Sequence, residues 1–465
     1  MTTVKIKTPL IPAEQKFFTK GNDSGLDLKA ICIFAAAGFF LAEDTYYRNL
    51  KALQPATEYE FDDNDVLVSE SRFWKWHYTP LKMTLEDAVD EFAHLFERIT
   101  SRLLGSCNVI LPLSGGLDSR TQAAVLKDPG MVHSYSYKFE DSFDETKYGE
   151  EIAKIRGFRF SSYVIPRGYL WKRIEQISGI NKCYADFTHP RQMAHIEELS
   201  TLGDIFYLGH WGDVLFDDMG LPESLSFDEQ VSALQKKIVK RGGMELANSL
   251  WNAWGIEGTF EGHLKSKLAG LLAEIEIENV NARIRAFKSM YWAPRWTSAN
   301  MNAFSSFKPV AIPYYDDEMC RFICTVPEEH LAGRKIQIEY IKKISPGLAS
   351  VAWQDYDPLN LYNYGKFESP SMLPYRALRK GKNIVKRNLF GRKLVTRNWE
   401  IQFCGEENDR QLKERLFSGK NFSEFIPSGV VKSFYDKFKH EDEVKYSHPV
   451  SMLLTLSEFC RMNLN

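Results

Sequence analysis

Val109-Ile110-Leu111-Pro112-Leu113-Ser114-Gly115-Gly116-Leu117-Asp118-Ser119 decides how the chain is read, because an apolar run of buried type passes straight into a turn of two adjacent glycines. That is a strand ending in a phosphate loop. Glycines let the backbone fold tightly and carry its N–H groups up to an anion, while Ser114 and Ser119 add hydroxyl donors. Asp118 supplies a carboxylate for a magnesium ion. Arg120 through Lys127, with Ala123, Ala124 and Val125, suits a helix, so a bound anion would also face a helix N-terminus. No Gly-Lys-Ser or Gly-Lys-Thr follows, which excludes a Walker-type loop. A plain glycine turn between strand and helix is the alternative.

Composition sets the outer limits. At 465 residues the chain exceeds the usual single-core size, and 59 basic against 61 acidic residues give a net charge of −2, which argues against generic polyanion binding and so against a nucleic-acid partner. The seven cysteines are odd in number and scattered, as expected of reduced thiols in a cytoplasm. Cys320 and Cys324 read as one helical face rather than a metal site. The longest apolar run, Ile31 to Ala42, is far short of the about 20 residues that span a bilayer, so no transmembrane segment is expected. No secretory signal is read in the first residues.

Outward from the loop, the pattern alternates. Leu85 to Leu104 places Leu85, Ala88, Phe92, Leu95, Phe96, Ile99 and Leu103 near one face, predicting a helix that leads into the loop's strand. Further strands are predicted over Val132–Lys138, Phe160–Ile165 and Ile205–Leu208, with helices over Glu145–Ile155 and Arg191–Leu199. This order predicts an α/β fold, a doubly wound parallel sheet binding its ligand at the strands' carboxyl ends. Residues 1–80, with short runs Ile31–Phe34, Gly38–Leu41, Tyr59–Phe61 and Val66–Val68, predict a small β-rich domain. Residues 81–378 would form the nucleotide-binding domain and 379–465 a helical C-terminal extension. Arg376 to Arg397 is basic with no Asp or Glu, and reads as a solvated helix face or as a patch for an anionic glycan, a membrane surface or a nucleotide.

The Ser114 loop resembles the pyrophosphate loop of N-type ATP pyrophosphatases (PP-loop enzymes). With Tyr137-Lys138-Phe139-Glu140-Asp141 ending the second strand, it resembles the synthetase domain of the asparagine synthetase family. The resemblance implies ATP and magnesium as cofactors. It places Leu113, Ser114, Gly115, Gly116, Leu117, Asp118 and Ser119 around the nucleotide, with Phe139 beside the adenosine. Asp144 reads as a helix cap.

A second stretch, Leu208-Gly209-His210-Trp211-Gly212-Asp213-Val214-Leu215-Phe216, is similar to the family's Gly-Asp-Glu-Leu/Val-Phe signature. It implies Gly209 in the nucleotide site and Asp213 as the second magnesium ligand beside Asp118, a donor pair suited to a hard cation. Val214 departs from the family's Glu. His210 stands where asparagine-forming members carry an acid, and reads as a general base or as a packed loop histidine. Ile312-Pro313-Tyr314-Tyr315-Asp316 resembles the family's Pro-Phe-Leu-Asp segment, with Asp316 capping a helix, and Lys335–Ile341 predicts the next helix. Lys366, in Tyr364-Gly365-Lys366-Phe367, falls where relatives place a lysine over the reacting carboxylate. It reads as catalytic, or as a surface lysine.

Thr45-Tyr46-Tyr47 and Leu50-Lys51-Ala52-Leu53-Gln54-Pro55 resemble the end of the family's N-terminal glutaminase domain, but Thr2 stands where that domain has its nucleophilic cysteine. Glutamine hydrolysis by this chain is therefore not expected. The resemblance implies a ligase that adenylates a carboxylate, aspartate or a related small-molecule or glycan carboxylate, releasing AMP and pyrophosphate. Nitrogen would come from free ammonia, a separate glutaminase or an amine substrate. A homodimer is an open expectation. Rival readings are a nucleotide-binding scaffold that lost catalysis, amidation of a sugar carboxylate, peptide cyclisation, and a PP-loop enzyme of tRNA modification, the last lacking a basic excess or paired zinc-type cysteines.

Overall fold

The structure is a computed structural model that describes residues 3–377 and 395–464. Thr2, the boundary expected at 378/379 and most of the basic run 376–397 lie outside the described residues.

The N-terminal part mixes strands with one helix. Strands β1 (Val4–Lys7), β4 (Thr57–Phe61) and β5 (Leu67–Arg72) form an antiparallel sheet in the order β1-β4-β5, and β2 (Phe17–Thr19) pairs with β3 (Leu50–Ala52). Helix α1 (Leu28–Ala37) occupies Ile31–Phe34, where strand was expected. Ala-rich Leu28–Ala37 is capped by the Asp27 side chain on the Ala30 N–H and closed by left-handed Gly38, and residues 30–37 are all buried, so neither period survives in the pattern.

Helix α2 (Leu85–Leu104) begins at a capping box between Thr84 and Asp87 and buries the predicted face. The sheet follows: β6 (Val109–Pro112), α3 (Leu117–Val125), β7 (Val132–Phe139), α4 (Thr146–Arg156), β8 (Arg159–Ile165), α5 (Tyr169–Asn181), β9 (Ile205–Tyr207) and β10 (Val310–Ala311). All five strands are parallel, in the order β10-β9-β6-β7-β8. The order reverses between β6 and β9, so the loops after these two strands open the crevice at the topological switch point. Helix α5 was not anticipated, and the helix expected over Arg191–Leu199 is broken into a 3-10 turn, Arg191–Ala194, and a short helix, Ile196–Ser200. Beyond Phe227 the described chain is mainly helical.

The main core runs through the described residues from Leu10 to Cys460, with smaller clusters around Tyr59 and around Ile165. The long C-terminal helix Glu443–Asn463 packs near α1, and Phe459 stacks on Tyr46 with ring centroids 3.8 Å apart. No helix among the described residues is long and apolar enough to cross a membrane.

Candidate functional site

Helix α3 starts at Gly116 without a side-chain cap, and Ser114, Ser119 and the loop backbone knit together instead. The Ser114 N–H donates to Ser119 Oγ at 3.1 Å, the two hydroxyls are 3.1 Å apart, and the Gly116 N–H donates to Ser114 Oγ at 3.3 Å. Beneath the loop lies Arg120, fully buried. Its guanidinium donates to the carbonyls of Gly115 (3.0 Å), Leu348 (3.2 Å), Val351 (2.9 Å) and Ala352 (2.9 Å). With the Gly115 carbonyl drawn inward, the loop keeps its compact form. Burial pushes the Arg120 pKa down to about 10, leaving it charged.

The two signature loops meet at Asp118. A Cβ on Gly212 would collide with Asp118 Oδ1 and sit 2.9 Å from Tyr314 Cε2, so only glycine fits beside the carboxylate. Asp118 Oδ1 accepts from Arg334 Nη2 and from Gln337 Nε2 (3.0 Å), and Oδ2 accepts no hydrogen bond among the described residues. Burial raises the Asp118 pKa; Arg334 opposes this and nearby Asp213 adds to it. Asp213 itself is exposed. Two non-glycine residues in left-handed backbone flank the pair: Trp211, φ 78°, just before Gly212, and Arg334, φ 59°, just before the helix Lys335–Ile344. Such conformations persist only where surroundings enforce them and cluster at working sites.

A cleft of about 970 Å³ opens here. Of the residues expected at the site, Leu113, Ser114, Asp118, Ser119, Gly209, His210 and Asp213 line it. Gly115, Gly116 and Leu117 form the loop behind this lining. Phe139 turns away, packing with Ile165, Tyr169, Val395 and Ile401, and Tyr135, Ser136 and Tyr137 of β7 face the cleft in its place. Lys366 is exposed on the 3-10 turn Tyr364–Glu368 and is not part of the cleft wall. Asp144 takes the structural role: it accepts from the Thr146 N–H (3.0 Å) and pairs with Lys138 (2.8 Å). Asp316 caps the helix Asp317–Ile323.

Sequence reading missed one wall entirely. Lys288–Thr297 is a π-helix interrupted by Pro294; Lys288, Trp292, Trp296 and Thr297 line the cleft, continued by Asn300 and Phe304. The i, i+4 tryptophans around a proline were the available signal, and π-segments concentrate at functional sites. Lys288 stands 5.7 Å from the Trp211 ring centroid and 5.3 Å from that of Trp292. Burial pulls its pKa down to about 8 against the attraction of Asp213. Arg191 adds a second cation, 5.4 Å from the Tyr137 ring centroid. His210 is half-buried, with Nδ1 enclosed and unpartnered among the described residues, and burial holds its pKa down to about 4. It enters the site as neutral imidazole.

Residues 91–185, which contain β6, the Ser114 loop, α3, β7, α4, β8 and α5, match the family model for asparagine synthase. No curated protein matches the chain.

Proposed function

We propose, from the asparagine synthase match over residues 91–185 and the cleft it helps to build, that the protein is an ATP-dependent, amide-forming ligase. It joins a carboxylate to ammonia or an amine through an acyl adenylate, releasing AMP and pyrophosphate. One observation carries this reading: the Ser114–Ser119 loop and the Gly209–Asp213 loop converge at the sheet's switch point, with Gly212 against Asp118.

The chemistry follows from the donors. The β6 loop and the start of α3 would hold the pyrophosphate half of ATP, whose negative charge matches the N–H groups and hydroxyls there. Tyr135–Tyr137, with Leu113, would flank the nucleoside. Asp118 and Asp213 suit magnesium, a hard cation that one or two carboxylates would hold together with phosphate oxygens and water. Asp118 Oδ2 is the oxygen left open for it. Magnesium bound there would offset the charge of the departing pyrophosphate.

Lys288 and Arg191 would stabilise the negative charge that builds as the carboxylate attacks the α-phosphate, the part that the sequence assigned to Lys366. Splitting amide formation into activation and transfer replaces one difficult step by two easier ones.

The test is product analysis with ATP, magnesium and a panel of carboxylates. AMP with stoichiometric pyrophosphate supports the reading, and ADP with phosphate as the main products refutes it.

A further inference from the structure

A second pair of titratable groups stands away from the signature loops, His189 in the cleft wall and Asp186 buried beside it. Asp186, in the segment after α5, is buried at 6 % exposure. Its Oδ2 accepts from the hydroxyls of Thr188 (2.7 Å) and Ser451 (3.2 Å), while Oδ1 lies 3.8 Å from His189 Nε2. His189 lines the cleft with its side chain 36 % exposed, set edge-on to Trp296 at a centroid distance of 4.7 Å. Its Nδ1 makes no hydrogen bond among the described residues. Burial lowers the His189 pKa, Asp186 opposes this, and Arg191 and Lys240 reinforce it, so the ring is held toward its neutral form.

We propose that His189, oriented by Asp186, takes the proton released when the amine attacks the acyl adenylate; this rests on the adenylation reading above. In that step the amine nitrogen bonds to the acyl carbon, and the bond from that carbon to the adenylate oxygen breaks, its electron pair leaving with AMP. The N–H proton passes to His189 Nδ1. Nε2 faces the Asp186 carboxylate at 3.8 Å, close enough for its charge to balance the imidazolium. The acid that acts on His210, Asp213, is one of the two carboxylates proposed for the cation.

His189 is surrounded by charge from several elements: Asp186 and Arg191 in its own segment, Lys240 over Trp292 and Trp296, and His448 of the C-terminal helix near Asp186. Replacing Asp186 by Asn therefore leaves only cations and a histidine around the ring, and must lower its pKa further.

Two half-reactions test the assignment. With aspartate, glutamate, benzoate and glucuronate as trial carboxylates and no amine, ATP–pyrophosphate exchange reports adenylation; ammonium chloride then starts transfer. The expected result is exchange by His189→Ala within about twofold of wild type, and amide formation lower by about 10²-fold and partly restored by imidazole. Amide formation by Asp186→Asn should be slower, with its pH profile displaced to lower pH. A wild-type rate of amide formation in His189→Ala, or an undisplaced profile in Asp186→Asn, overturns the proposal. A wild-type protein silent in exchange with all four carboxylates removes the adenylation reading itself, and this proposal with it.

Discussion

Arg334 reaches the carboxylate of Asp118 from a left-handed backbone, φ 59°, tying the helix Lys335–Ile344 to the phosphate loop across 216 residues of sequence. The pair is mostly sequestered, with side chains 14 % and 24 % exposed. Removing the guanidinium leaves Asp118 with Gln337 as its remaining donor. Arg334→Ala is expected to lower stability by about 1–3 kcal/mol, the range for a buried group that loses a charged partner. Urea unfolding with an unchanged midpoint would show that the pair is incidental.

Asp118→Asn and Asp213→Asn each remove an anionic ligand while keeping shape. Both should lose about 10²-fold or more in turnover, with partial recovery at high magnesium; exposed Asp213→Asn should melt near wild type, whereas Asp118→Asn, which also removes the charge facing Arg334, should melt lower. Near-normal turnover in either variant would mean that the cation sits elsewhere.

Arg120 is a positioning residue for the loop rather than a ligand. Arg120→Met would strip four carbonyls of their donor in a buried place, and about 3 kcal/mol or more of stability should be lost. Retained stability, measured by urea unfolding, would indicate that water replaces the guanidinium.

Four of the five sheet strands, α2 and the two signature loops were legible because each rests on a local signal: alternating strand and helix patterns, an apolar face of period 3.6, adjacent glycines beside an acid; β10, two residues long, carries no such pattern. Helix α1 was not, since a helix buried on all sides loses its period. Phe139 shares its side of β7 with Tyr135 and Tyr137, which line the cleft, but at the strand's end it packs with Ile165, Tyr169, Val395 and Ile401, residues that only the tertiary structure brings there. Lys366 was chosen from a short local match, whereas Lys288 and Arg191 come to the cleft from elements with no motif. His189 and Asp186 fall in irregular chain after α5, where only the tertiary structure brings an acid, an imidazole and a tryptophan together.

His210 and His448 are both held down to about 4, below their ordinary 6.5, chiefly by burial. In the window between those values the unfolded chain binds protons that the native protein refuses, so stability is full above about pH 6.5 and falls as the pH drops toward 4. Asp118, raised by burial, works in the opposite sense. The melting temperature should therefore decline from pH 7 to pH 4.5, and His210→Gln should flatten part of that decline. A melting temperature that holds or rises over this range would contradict the burial of these rings.

Adenylation requires that a carboxylate oxygen attack the α-phosphate. The direct measurement uses an ¹⁸O-labelled carboxylate, whichever of the panel releases most pyrophosphate, with ATP, magnesium and ammonium chloride, followed by mass analysis of the nucleotide and the free phosphates. The account predicts one ¹⁸O in AMP for each amide formed and none in pyrophosphate. Label in inorganic phosphate, with ADP as the nucleotide product, would mean an acyl phosphate and would contradict it.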